Sequence, residues 1–173
     1  MNQPASEAGL RPVTPSRFRA AMGAFATGVA VVTTEWQGTR QGMTVNSLTS
    51  VSLAPCLLLV CLRKGSATGA AIQASGAFAV NLLTEGQEAL ARRFVGPLGD
   101  RFMGLPPTRC NLGQPLLPEC LAHLSCRLHA IHPGGDHDIL MGEVTSCTAL
   151  EGAPLVFYRG RFGRYLPEAA AQG

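Results

Sequence analysis

Four stretches of this chain gather side chains suited to holding a polar, phosphorylated heterocycle. Gly42 to Pro55 (GMTVNSLTSVSLAP) sets Thr44, Asn46, Ser47, Thr49, Ser50 and Ser52 between apolar runs. Hydroxyls and amides donate or accept without a competing charge, which suits the edge of a flat ring that offers both roles. A polar strand edge with Ser/Thr turns accounts for the same residues equally well. Cys61 to Gly69 (CLRKGSATG) closes an apolar run with Arg63 and Lys64, then places Ser66 and Thr68 at the start of a helix. Helix N-terminal N–H groups, hydroxyls and nearby cations make an anion site, each charged contact contributing about 1.5 to 3 kcal/mol. The plainer account has Ser66 as an N-cap and both cations in solvent.

Gly134 to Val144 (GGDHDILMGEV) is a glycine turn that delivers Asp136, His137 and Asp138 to the head of an apolar strand. A histidine beside two carboxylates holds a proton near neutral pH or donates to a carbonyl or phosphate, although most lone histidines have no chemical role. Pro154 to Tyr165 (PLVFYRGRFGRY) interleaves three arginines with four aromatic residues. Rings stack on a flat ligand and guanidinium grips pyrophosphate with two prongs; a final hairpin with solvated arginines is the alternative.

The elements that must position these groups are mostly strands. The spacing predicts strands at Gly28–Trp36, Met43–Leu48, Leu57–Leu62, Ala77–Leu82, Leu121–Ile131, Ile139–Thr148 and Leu155–Tyr158, with QGTRQG (Gln37 to Gly42) as a turn. Thr14-Pro15 caps a helix over Pro15–Ala26, with Phe18, Met22 and Phe25 at helical spacing and Gly28 beyond its end. Two shorter helices are predicted at Ala67–Ala74 and Gln87–Phe94. Many strands and few helices imply a barrel. Neither alternating βαβ units nor a GxGxxG after a strand occurs, which removes the usual dinucleotide-binding domain.

A chain of 173 residues, 46% hydrophobic and 14% charged, supplies one compact core. The expected organisation is a loose tail at 1–13, a single domain at 14–166 and a C-terminal tail at 167–173. The net charge of +3 comes from scattered cations with no basic run, so nucleic-acid binding is not expected. The longest apolar stretch, Leu57 to Leu62, is far short of a membrane span. Six cysteines without a secretory segment or a CxxC pair read as mostly buried, reduced thiols in a cytoplasmic protein. His129 and His132 lie three apart in a strand, on opposite faces, so no metal site is expected.

Taken in order, FRAAMGAFATGVAVVTT, GMTVNSLTSVSLAPCLLLVCL, FAVNLL, RFMG, GDHDILMGEV and PLVFYRGRFGRY resemble the flavin reductase-like family with the FMN-binding split barrel, from about Phe18 to Tyr165. The nearest in style are reductase components of two-component flavin-dependent monooxygenases. The resemblance implies a mainly β, Greek-key split barrel with a few short helices, usually a homodimer. It also implies an NAD(P)H:flavin oxidoreductase that moves hydride from NADH or NADPH to FMN or FAD and supplies reduced flavin to a monooxygenase partner.

By position, Arg40, Gly42, Met43, Thr44, Asn46 and Ser47 match the stretch bordering the isoalloxazine. Cys61, Leu62, Arg63, Ser66 and Thr68 match the stretch holding ribityl and phosphate, and Arg93 with Phe94 match a second flavin-side contact. His137, the candidate catalytic residue for orientation or proton supply, and Phe157, Tyr158, Arg159 and Gly160 match the place where nicotinamide docks. Cys56 stands where the family commonly has a second proline, and Glu119-Cys120 where it has a small Gly-containing pair. A flavin carrier without nicotinamide activity, and an enzyme with tightly held flavin acting on a metabolite, remain competing readings. A hydrolase lacks a GxSxG elbow.

Overall fold

A computed structural model describes residues 12–96 and 100–166. Nearly all of both expected tails lies outside the described residues. The elements are α1 (Pro15–Met22), β1 (Thr27–Gly28), β2 (Ala30–Trp36), β3 (Thr39–Val45), β4 (Thr49–Leu53), β5 (Cys56–Arg63), α2 (Ala67–Ser75) and β6 (Ala77–Leu82). A 3₁₀ turn at Glu85–Gln87 leads to α3 (Glu88–Val95), then β7 (Ala122–Gly134), β8 (His137–Ala149), β9 (Leu155–Tyr158) and β10 (Arg161–Arg164).

Seven strands form one antiparallel sheet in the order β3-β2-β6-β7-β8-β5-β4, and β1-β9-β10 form a smaller one. The two edges of the large sheet, β3 and β4, are consecutive in the chain, and Ser47 joins the end of β3 to β5. Its hydroxyl donates to the Cys61 carbonyl at 3.1 Å and accepts from the Cys61 N–H at 3.0 Å, so the sheet curls into a barrel. Inside sit Val32, Leu58, Val60, Phe78, Val80 and Leu140, with Ile72 of α2 entering from the end.

A second core lies outside β2, where Val31, Leu83, Ala91, Phe94, Phe102 and Leu117 meet. Because β2 is covered on both faces, its first five residues are all buried and its sequence does not alternate. Asn81 ties the two layers together. Its amide donates to the Val31 carbonyl at 2.9 Å and the Thr33 hydroxyl at 3.0 Å, and its Oδ1 accepts from the Leu117 N–H at 2.9 Å.

Several boundaries differ from the sequence expectations, each for a local reason. The first helix ends at Met22, because the Gly23 N–H already closes onto Arg19, and none of its residues is buried. Gln37 and Gly38, both at positive φ, make a two-residue turn, so β3 starts at Thr39 and stops at Val45. Asn46 to Leu48 form the corner into β4, a strand within the polar Gly42 to Pro55 stretch. The Arg159-Gly160 turn, again at positive φ, makes the C-terminal segment a hairpin. Glu119 sits at φ 55, which explains why a small, glycine-containing pair suits this corner. The thiols also depart from expectation: only Cys120 and Cys126 are buried, while Cys56 and Cys147 are exposed.

Candidate functional site

The corner after β3 is where the chemistry-bearing stretches meet. Thr44 and Asn46 alternate onto the outer face of the barrel, while Met43 and Val45 pack against the interior. The β9–β10 hairpin brings Phe157 and Phe162 across that face, their rings 5.3 Å apart and edge-on. These two rings, Thr44, Asn46 and Val29 line a cavity of about 130 Å³. A neighbouring cavity of about 250 Å³ shares Val29 and Asn46 and is otherwise walled mainly by aliphatic side chains, among them Leu48, Leu82 and Leu155.

The polar groups here are unevenly committed. Thr44 donates to the Ala91 carbonyl at 2.7 Å, which ties β3 to α3. Asn46 is exposed and its carboxamide has no partner among the described residues. Thr27 Oγ1, on the wall of the larger cavity, is buried with no hydrogen-bond partner. Apolar walls with a free amide and an orphaned hydroxyl fit a flat heterocycle that has a polar edge. A flavin ring is such a group.

Ser47, next to Asn46, is bonded to Cys61 of β5, and that strand ends at Arg63. Next comes α2, whose N-cap Ser66 accepts from the Gly69 N–H at 3.2 Å. A side chain on Gly69 would meet that oxygen at 2.9 Å, so the glycine keeps the cap intact. Ser66 retains its own proton to donate, and Thr68 is buried beneath the first turn. Arg63, the Ser66 hydroxyl and the first N–H groups of α2 thus lie close together in the chain, while the Thr68 side chain is buried.

His137 begins β8 and pairs in register with Arg63. Its Nδ1 lies 2.8 Å from Asp136 Oδ1, and this hydrogen bond, followed by the charge of His137 and then that of Arg63, holds the exposed Asp136 carboxyl below its ordinary range. Within the chain, His137 thus adjoins Arg63, whereas Phe157 shares a cavity wall with Asn46.

Other expected site residues take different places. The Leu62 and Phe94 side chains are buried, so a ligand could meet those positions only through main chain. Phe94 packs edge-on against Phe102 at 5.1 Å, and a Cβ on Gly42 would meet the Phe94 ring at 2.7 Å. Arg93 donates to the Met103 carbonyl and, at 3.4 Å, to that of Asp100, bracing the segment after α3. Arg159 lies over the Tyr158 ring at 5.3 Å, with Gly160 completing the turn beside α1. Arg40 lies near the far end of β3 from Val45, five residues and about 17 Å along the strand at about 3.3 Å each.

Sequence reasoning missed Thr27, Val29 and Phe162, which line these cavities. The symmetry of FYRGRF about Arg159-Gly160 was a usable signal for Phe162, since a two-residue turn pairs it with Phe157. Thr27 and Val29 lie within FRAAMGAFATGVAVVTT, a segment that carries the resemblance, but their residue types did not single them out.

An antiparallel split barrel with a cavity lined by polar and aromatic side chains suits a flavin-handling protein. The flavin reductase like domain matches residues 22–165, and the chain belongs to that family. It is 41% identical over 157 residues to the reductase subunit HsaB of a flavin-dependent monooxygenase from Rhodococcus jostii (strain RHA1), covering 90% of this chain and 80% of that one. It is 37% identical over 170 residues to an FMN reductase (NADH), RutF 1, of Methylorubrum extorquens, covering 97% of this chain and 85% of that one. Among solved structures, the Streptomyces globisporus C-1027 NADH:FAD oxidoreductase SgcE6 in complex with NAD and FAD fragments superposes with a TM-score of 0.85. It is 38% identical, and the match covers 92% of this chain and 99% of that one.

Proposed function

We propose that this protein oxidises NADH or NADPH, reduces FMN or FAD, and hands the reduced flavin to a partner flavin-dependent monooxygenase. The observation that carries the reading is the convergence of Thr44 and Asn46 with Phe157 and Phe162 on one cavity; beyond the Ser47–Cys61 link, Arg63 and the Ser66-capped start of α2 offer a place for phosphate. Relatives named as NADH-dependent FMN and FAD reductases and as monooxygenase reductase subunits support it.

The flavin, when bound, supplies the hydride-accepting ring and the nicotinamide supplies the hydride. The chain's own contribution is alignment and electrostatics. Asn46 presents amide donors and an acceptor to the ring edge, and the buried Thr27 hydroxyl gains the partner it lacks. Phe157 and Phe162, on the wall of the same cavity, would shield the bound ring from water. Arg63, Ser66 and the first turn of α2 hold phosphate. His137, oriented by Asp136, supplies or takes a proton at its Nε2 or orients the second cofactor.

The functional unit in this reading is a homodimer. The outer face of β5 and β8 carries Leu57, Leu59, Cys61, Ile139 and Met141, each still partly exposed, and Phe18, Met22 and Phe25 lie exposed on and just after α1. A second copy covers such a surface. Six free thiols and the need for reduced nicotinamide cofactor suit the cytoplasm.

The test is anaerobic addition of NADH or NADPH to protein with FMN, FAD or riboflavin in turn. Bleaching of the flavin absorbance is expected, and a protein that bleaches none of the three is not a reductase. Flavin retained through exhaustive dialysis would sink the release step, and His137→Ala with unchanged nicotinamide affinity and reduction rate would remove that residue's role.

A further inference from the structure

A second cleft, of about 540 Å³, opens between the β2–β3 hairpin and the segment Asp100–Phe102. It lies at the Arg40 end of β3, about a strand-length from the Asn46 cavity. Two guanidinium groups line it. Arg101 donates to the carbonyls of Gly42 at 2.6 Å and Gly96 at 2.5 Å, its Nε is buried without a partner, and no carboxylate among the described residues pairs with it. Arg40 lies over the Phe102 ring at 4.9 Å; Asp100, the carboxylate that pairs with it among the described residues, is 3.9 Å away and mostly exposed, while Glu35, opposite Arg40 across β2 and β3, is taken up by Arg109 at 2.7 Å.

Carbonyls fix the orientation of a guanidinium without neutralising its charge, so this cleft holds more positive charge than its own residues compensate. The space exceeds what a lone inorganic anion fills. Thr39, Gln41 and Asp100, also on its walls, offer donors and acceptors to hydroxyl and amino groups. An aromatic or aliphatic ligand finds little here, whereas a phosphorylated sugar bearing a polar base finds a partner for each of its groups.

We propose that this cleft is a second ligand site, distinct from the ring groove, that takes a nucleoside phosphate with Arg40 and Arg101 as its phosphate contacts. The same chemistry has two sources: the distal half of the nicotinamide dinucleotide, or a separate nucleotide.

The probes are ADP and inorganic pyrophosphate, titrated calorimetrically into the full chain at low and high salt. Binding that weakens with salt is expected, and Arg40→Gln should weaken ADP about tenfold or more, since it removes a charge-assisted contact. Arg101→Lys should also weaken it, because an ammonium cannot reproduce the fork. Should that variant fail to fold, Arg40→Gln decides alone. NADH displacing ADP identifies the dinucleotide as the source, and simultaneous binding identifies a separate nucleotide. The proposal is overturned if neither probe binds in the millimolar range, if Arg40→Gln binds ADP like the parent, or if Phe157→Ala abolishes ADP binding instead. Anaerobic bleaching of flavin in the same preparation keeps this outcome separate from that of the reductase reading.

Discussion

Substituting Gly42 with alanine probes the seam between the barrel and α3. The new methyl would sit 2.7 and 2.9 Å from two carbons of the Phe94 ring and 3.2 Å from the Val32 carbonyl oxygen. Phe94 is completely buried and locked edge-on against Phe102, so its ring cannot swing into solvent. Overpacking of this kind costs about 1 to 3 kcal/mol, partly offset because glycine is a poor strand residue. A net loss of about 1 to 2 kcal/mol should lower Tm by about 2 to 8 °C in a chain of this size.

The diagnostic is Phe94→Leu in the Gly42→Ala background. Alone, Phe94→Leu trades ring volume for a void and costs about 1 to 2 kcal/mol. Together the changes relieve each other, so the double variant should be less destabilised than the sum by about 1 to 2 kcal/mol. Urea unfolding of all four proteins, with unchanged slopes, gives the coupling. Additivity within about 0.5 kcal/mol would refute the claim that glycine is required here to make room for the ring.

Glu119→Gly should raise stability by about 0.5 to 1 kcal/mol, because it releases a left-handed backbone strained by a side chain, less the extra unfolded-state entropy of glycine. A Tm equal to or below that of the parent would contradict this. Burial pushes the Cys120 thiol up to about 11 and the Cys126 thiol up to about 12 from 9.0. Between pH 9 and those values the folded state holds protons that the unfolded chain releases. Their contribution to stability is thus complete below pH 9 and falls as pH rises, by about 1.4 kcal/mol per unit for each thiol. Urea midpoints at pH 8 and 10 should show the fall, and Cys126→Ala should flatten it; an equally steep fall in that variant would remove the assignment.

What the chain alone determined is local. Thr14-Pro15 and Ser66 start their helices where side-chain oxygens cap free N–H groups, and Gly76 ends α2 at positive φ. Alternation and β-branched runs locate most strands because side chains in a strand repeat every two residues. The candidate site was legible only as residue types: Asn46, Arg63, Ser66 and Phe157 stand out by chemistry and spacing.

Tertiary structure decided which of those residues share a surface. The curl of the sheet places β3 beside β9, more than a hundred residues later, and spends the Ser47 hydroxyl on joining Cys61. It buries Phe94 under Gly42 and leaves Arg40 with Arg101 at a separate cleft. Such contacts depend on register and closure, which are properties of the whole sheet, and no window of neighbouring residues encodes them.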